Sequence, residues 1–323
     1  MRRLIFAIAA VVALLQGNAR AQNLSERTIT LVNPYAAGGP ADLLARTVAE
    51  GMGAALGQTV IVESRAGGGT TIGAAAVARA KPDGLTLFIG GAPSHIVAPA
   101  LMKNVGYDGL KDFAPIAMVA NVPNVLVVPA GRPYSTVKEL VAAATEARGA
   151  MTFASAGVGS LPQFLGVLLQ QRAGVTLTHV PYKGAAPASV DLVAGRIDLA
   201  FLNAPSVLSY IEAKKLRAVA VADATRAERL ADIPTTSEAG YPDVEMSTWY
   251  GISAPAGTPR VVIDRLYAAI AQTLSSNSVK QKLSAQGAET FLKDRDAFAA
   301  YLQADATRMR ALIESANMKA EAE

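Results

Sequence analysis

Ile29-Thr30-Leu31-Val32-Asn33-Pro34-Tyr35-Ala36-Ala37-Gly38-Gly39-Pro40-Ala41-Asp42 is the stretch on which the fold turns. Its first four residues are aliphatic or β-branched and read as a buried strand. The two glycines permit a sharp turn, and an apolar-periodic helix then runs from Asp42 to Leu56. Outward from it, Val60-Ile61-Val62 reads as a strand, Thr71 to Ala80 as a helix, and Leu85-Thr86-Leu87-Phe88-Ile89 as a strand. A β-α-β-α-β order of this kind builds a mostly parallel sheet with helices on both faces.

The same rhythm restarts downstream. Strands are predicted at Val125–Val128, Thr152-Phe153, Leu177–Val180, Leu199–Leu202 and Ala218–Val221, with helices at Val137–Arg148, Leu161–Ala173, Pro187–Ala194 and Pro205–Ala213. The C-terminal part is helical: one helix opens after Pro259, a second begins near Asn277 and ends before Gly287, and a third spans Arg295 to Ser315. These helices need a surface to cover, and the first sheet supplies one if the chain crosses back near Trp249. The expectation is an α/β protein of two lobes. Residues 22–122 and 249–323 form a discontinuous first lobe, and residues 123–248 form the second. Extended crossings near Val122-Pro123 and Ser247-Thr248-Trp249 form the hinge.

The 323 residues are 51% hydrophobic and 17% charged, which excludes a largely disordered chain and leaves ample material for two cores. Met1-Arg2-Arg3, the apolar run Leu4–Leu15 and Ala19-Arg20-Ala21 have the three parts of a secretory leader, with cleavage expected after Ala21. The apolar run is 12 residues, short of the length a helix needs to cross a hydrocarbon core of roughly 30 Å. Lys+Arg number 30 and Asp+Glu 26; the leader removes Arg2, Arg3 and Arg20 and no acid, so the mature chain carries +1. That balance gives no footprint for nucleic acid or an anionic membrane surface. With no cysteine, disulfides and thiolate zinc sites are excluded.

The inventory argues against an enzyme. Only His95 and His179 are present among histidines, and G-x-S-x-G, H-E-x-x-H and G-x-x-x-x-G-K-[ST] are absent. Asp42 and Asp198 are isolated carboxylates in sequence. Two segments do resemble binding turns. Tyr35 to Asp42 places Gly38 and Gly39 ahead of a helix N-terminus, whose N–H groups and positive dipole end suit an anion. The same segment also fits an ordinary turn in which Asp42 pairs with Arg46 at i,i+4. Ser155-Ala156-Gly157-Val158-Gly159-Ser160 repeats the design, with Ser160 as an alternative N-cap. Facing each other across a cleft, the two turns could hold both ends of a diacid. Ser94-His95, Tyr182-Lys183-Gly184 and Asn203 fall at further strand ends, where ligands of open α/β sheets collect. His179 reads as a structural histidine.

Together these residues resemble the Bug-type extracytoplasmic receptors of tripartite tricarboxylate transporters. The resemblance runs over the whole mature chain. It includes Tyr35–Asp42 with Ala45-Arg46, Glu63–Gly73, Ser94-His95, Lys111–Ile116, Ser155–Ser160, Val180–Gly184, Gly195–Asp198 and Trp249–Pro259. It implies a type II periplasmic-binding-protein-like fold that closes on an organic carboxylate held between the two Gly-rich turns. It also implies delivery to membrane permease subunits. Carried over, the ligand site draws on Tyr35, Gly38, Gly39, Asp42, Ser94, Ser155, Gly157, Ser160 and Asn203, with no metal and no cofactor. Gln163, where the family often has His, and Ser64-Arg65-Ala66, where Asn-Arg-Pro is usual, are departures. The expected partners are a small-molecule carboxylate and the permease, with the receptor itself a monomer. A ligand sensor reporting to a membrane signalling protein is the alternative role.

Overall fold

The computed structural model describes residues 27–315. The leader and its expected cleavage point lie outside them. The strands in chain order are β1 (Ile29–Asn33), β2 (Val60–Ser64), β3 (Thr86–Gly90), β4 (Phe113–Val122), β5 (Asn124–Pro129), β6 (Thr152–Ser155), β7 (Thr178–Pro181), β8 (Leu199–Asn203), β9 (Leu216–Val221), β10 (Thr248–Pro255) and β11 (Glu289–Lys293). They form a six-stranded sheet of order β11-β4-β10-β3-β1-β2 and a five-stranded sheet of order β7-β6-β8-β5-β9. The helices are α1 (Pro40–Leu56), α2 (Thr71–Ala78), α3 (Ala98–Leu101), α4 (Val137–Ala147), α5 (Leu161–Ala173), α6 (Ala185–Val193), α7 (Ala204–Glu212), α8 (Arg260–Ser275), α9 (Asn277–Ala285) and α10 (Arg295–Ser315). Among the described residues no helix is long and apolar enough to cross a membrane.

Each sheet is mixed. The parallel pairings are those of the β-α-β units: β1 with β2 and β3, and β6 with β7 and β8. The other pairings are antiparallel, because the chain passes from β4 straight into β5 and returns through β10. β4, β11 and a π-type turn at Pro93–Val97 are elements that the sequence pattern does not predict. β4 reads Phe113-Ala-Pro-Ile-Ala-Met-Val-Ala-Asn-Val122, too rich in alanine and interrupted by Pro115, so neither period stands out.

α1 shows how local sequence produces the packing. Pro40 occupies its first turn, where a missing N–H costs nothing, and Gly57 ends it in the left-handed region at φ 66°. Its apolar stripe, Leu44, Ala45, Val48, Ala49 and Met52, is buried with Ile263, Leu266 and Ile270 of α8 and with Leu31 and Ile89 of the sheet. Burying one such aliphatic side chain stabilises by about 1.5–3 kcal/mol. Gly51 permits the close approach, since a Cβ there would lie 2.2 Å from Thr273 Cγ2 of α8.

The two crossings run side by side. Thr248 at the start of β10 pairs with Val122 at the end of β4. Asn124 Nδ2 donates to the Met246 carbonyl at 2.7 Å, so the first residue of β5 is tied to the returning chain. A large buried cluster contains Phe298, Leu302 and Met309 of α10, Trp249 of β10, and Phe153, Leu165 and Leu168 of the second sheet's layer. Trp249 donates its indole N–H to the buried carboxylate of Asp305 at 2.9 Å.

Candidate functional site: two glycine turns between the sheets

The first turn joins β1 to α1 and is braced from within. Asn33, fully buried, accepts the Tyr35 N–H on its Oδ1 at 3.2 Å and donates from Nδ2 to Ser64 Oγ at 3.3 Å. Asp42 is 2% exposed and accepts from the Gly38 N–H at 3.0 Å, Arg46 Nε at 2.9 Å and the Ser64 hydroxyl at 3.2 Å. Burial opposes ionisation of Asp42, but the bonds from Arg46, Gly38 and Ser64 outweigh it and hold the carboxyl below its ordinary range. Asp42 thus carries a charge that its neighbours consume. Gly38 sits at φ 79°, which favours glycine, whereas Gly39 is extended at φ −80°. Tyr35 packs edge-on against Tyr250 with ring centroids 6.0 Å apart. Burial, with Tyr250 and Tyr107 nearby, pushes its phenol well above the ordinary value, so it remains an O–H donor at neutral pH.

The turn after β3 is folded on itself. Ser94 is fully buried; its hydroxyl donates to the Gly91 carbonyl at 3.0 Å and accepts the Gly91 N–H at 3.2 Å. His95 lies among Phe88, Phe113 and Trp249, with its Nδ1 2.8 Å from the Gly109 carbonyl. Burial lowers its pKa to about 4 despite that carbonyl, so the ring is neutral, with Nδ1–H as donor.

The second turn joins β6 to α5. Gly157 adopts φ 127°, and a Cβ there would lie 3.1 Å from the Tyr182 carbonyl, so only glycine fits. His179 stacks on Phe153 at 4.7 Å and bridges two of the turn's supports. Its Nε2 is 2.8 Å from Ser155 Oγ and its Nδ1 is 3.4 Å from Gln163 Nε2. Donation by the Gln163 amide to Nδ1 assigns the proton to Nε2, which then donates to Ser155, whose hydroxyl donates on to the Gly157 carbonyl at 3.1 Å. Gln163 also accepts the Gly159 N–H on Oε1 at 2.7 Å. Ser160 has the backbone of an N-cap, but its hydroxyl donates to the Gly157 carbonyl at 2.6 Å instead of accepting from the helix.

The two turns come from different sheets, and each faces a segment that follows a strand of the other sheet. At Gly159 a Cβ would lie 3.5 Å from Val97 and Leu101, the segment that follows Ser94 and His95. Gly38, Pro40 and Leu43 share a cavity of about 370 Å³ with Pro205 and Leu208 of α7. Asn203 precedes α7 and is turned toward the crossings, its Nδ2 donating to Thr248 Oγ1 at 2.8 Å and Asn124 Oδ1 at 3.2 Å. Of the nine residues predicted for the site, Tyr35, Gly38, Gly39, Gly157 and Ser160 lie in the turns themselves. The side chains of Asp42, Ser94, Ser155, Ser160 and Asn203 are engaged with neighbouring protein groups. Asn124 was not singled out by sequence reasoning, and Ser64 entered it only as a departure from the related pattern. Ser64 pairs in register with Asn33, and placing β1 beside β2 would have revealed it.

Comparison with known proteins agrees over nearly the whole chain. Residues 44–318 match the model of the tripartite tricarboxylate transporter family receptor. A protein encoded in the tcbD-tcbE intergenic region of Pseudomonas sp. (strain P51) is 38% identical over 316 residues, covering 97% of this chain and 93% of the relative. The periplasmic binding protein BugD superposes with a TM-score of 0.78 at 34% identity, covering 91% of this chain and 98% of its own. An R. palustris protein solved with adipate superposes with a TM-score of 0.82 at 33% identity, covering 91% and 98%.

Proposed function

The chain belongs to the tripartite tricarboxylate transporter receptor family, and from that premise we propose that it is an exported solute-binding protein that captures a small organic carboxylate between its lobes and delivers it to membrane permease subunits. The observation that carries this reading is the presence of two glycine turns, each ahead of a helix N-terminus and each contributed by a different sheet. Such turns offer backbone N–H groups and a positive dipole end to an anion. The capture of adipate by a relative of the same fold supports a carboxylate as the cargo.

Within the site, Gly38, Gly39 and Gly157 bring backbone close to the ligand, Tyr35 supplies a hydroxyl group, and Ser160 turns its hydroxyl from the Gly157 carbonyl to the ligand on binding. Asp42, Ser94, Ser155 and Asn203 hold the turns and crossings in place. The lobes divide at residues 122/123 and 248/249, and closure about the paired crossings encloses the cargo. The leader is removed after Ala21, and the mature receptor works as a monomer without catalytic activity.

A thermal-shift screen of the mature protein against organic acids tests the assignment, because a ligand that binds only the folded state raises stability by RT ln(1 + [L]/Kd). At least one carboxylate should raise Tm in a concentration-dependent way. A panel of mono-, di- and tricarboxylates that leaves Tm unmoved overturns it. N-terminal sequencing of exported material should find Gln22 first.

A further inference from the structure

The cavity beside the first turn has a chemistry that carboxylate binding does not require. It holds about 370 Å³ and is continuous with the turn, because Gly38 forms part of its wall. Pro40 and Leu43 of α1 line it from one lobe, and Pro205 and Leu208 of α7 line it from the other. Leu43 is 44% exposed, although the next residues of the apolar pattern, Leu44, Ala45 and Val48, are fully buried. A large aliphatic side chain is therefore held open to the interlobe space. Ser209 and Gln286 add two polar side chains at its margin, and the charged lining residues, Glu212 and Arg229, are paired with each other, so the cation is already neutralised before a second ligand charge arrives.

We infer that this groove is a subsite for the hydrocarbon body of the ligand, so that the cargo is an extended aliphatic or arylalkyl carboxylate and not a short hydroxylated acid. The inference rests on the carboxylate reading of the turns. An acid whose head is held at Gly38 and Gly39 can lay its chain between Leu43 and Leu208, where each buried methylene removes apolar surface from water. A hydroxylated body would lose water hydrogen bonds along those four residues, and of the uncharged lining side chains only Ser209 and Gln286 could replace them.

Calorimetry with straight-chain acids from propionate to octanoate, alongside malate and citrate, tests the idea. Affinity should rise about fourfold per added methylene until the groove is filled. Leu43→Asn should flatten that rise, whereas Val261→Asn, at a side chain 75% exposed on α8 and outside this groove, should leave it intact. Malate or citrate binding more tightly than every straight-chain acid would overturn the inference while leaving the carboxylate reading standing. The same chain-length slope in Leu43→Asn and the unsubstituted protein would overturn it too. Failure of all these acids to bind removes the carboxylate reading and the inference with it.

Discussion

Asn203 Nδ2 donates to Thr248 Oγ1 at 2.8 Å, joining the end of a second-sheet strand to the strand by which the chain returns to the first. Asn124 Nδ2 reaches the same hydroxyl at 3.3 Å. Thr248→Val keeps the shape and removes the acceptor from both amides. It should lower the stability to denaturant by about 1–3 kcal/mol, the usual cost of stranding partly buried polar groups. An unchanged denaturation midpoint would show that the amides find other partners.

Gly39 is open to a clean test of ligand approach. Its φ of −80° suits any residue, and an added Cβ would meet only the Ala36 carbonyl at 3.5 Å. Gly39→Val should fold normally yet lose more affinity than Ser160→Ala, which removes one hydrogen bond worth about 0.5–1.5 kcal/mol. Lys183→Met, an exposed side chain beyond β7, should change affinity least. Calorimetry with one confirmed carboxylate ranks the three, and abolition of binding by Lys183→Met alone would reverse the reading of the site.

Gly51→Ala sets helix propensity against packing. Alanine favours the helix by up to about 1 kcal/mol, but its Cβ would stand 2.2 Å from Thr273 Cγ2 and 2.9 Å from Thr273 Oγ1. Overpacking of this kind costs about 1–3 kcal/mol, so net destabilisation is expected. Adding Thr273→Ala should restore part of the loss in a double-mutant cycle.

Glu289 gives the stability a pH signature. Burial pushes its carboxyl above the ordinary range, outweighing the N–H that it accepts from Glu228, and the negative charges of Asp223 and Glu228 add to the rise. A raised folded pKa means that the stabilising contribution is present below the unfolded value of 4.5 and is lost as pH rises through the folded value. Glu289→Gln should therefore raise Tm at pH 7 and leave it nearly unchanged at pH 4. An equal shift at both values would assign the effect to packing.

Asp42 has the opposite sign. Its lowered pKa contributes stability above the unfolded value of 3.8, and that contribution disappears as pH falls through the folded value. Asp42→Asn should remove this acid-limb loss and, by weakening the hold on Gly38, reduce ligand affinity. Calorimetric melts from pH 2.5 to 6 measure the first effect.

The α/β alternation was legible because β1, β3, β5 and β8 are apolar runs bounded by turn residues, and because α5 and α10 keep a helical period from end to end. The antiparallel joins were not legible, since β4 and β10 take their direction from partners far away in sequence. The glycine turns were visible as composition. What the side chains around them do was not: Ser155 bonds to His179, 24 residues on, and Ser64 bonds to Asp42, 22 residues back. Such contacts follow from strand order, which no local window contains. Gln163 was visible only as a departure from a related pattern, and the fold shows it fixing both Gly159 and His179.

The self-neutralised first turn bears on how cargo arrives. Neither turn carries Lys or Arg, and the acid beside the first, Asp42, already faces Arg46. If the turns receive the cargo, an approaching carboxylate meets dipoles there, whose reach is short, and no formal positive charge of the turns themselves. Association then draws no long-range steering from the turns, and a weak dependence on added salt is expected. A catch rate that stays level when the surrounding medium turns from dilute to saline is the expected signature of such a site.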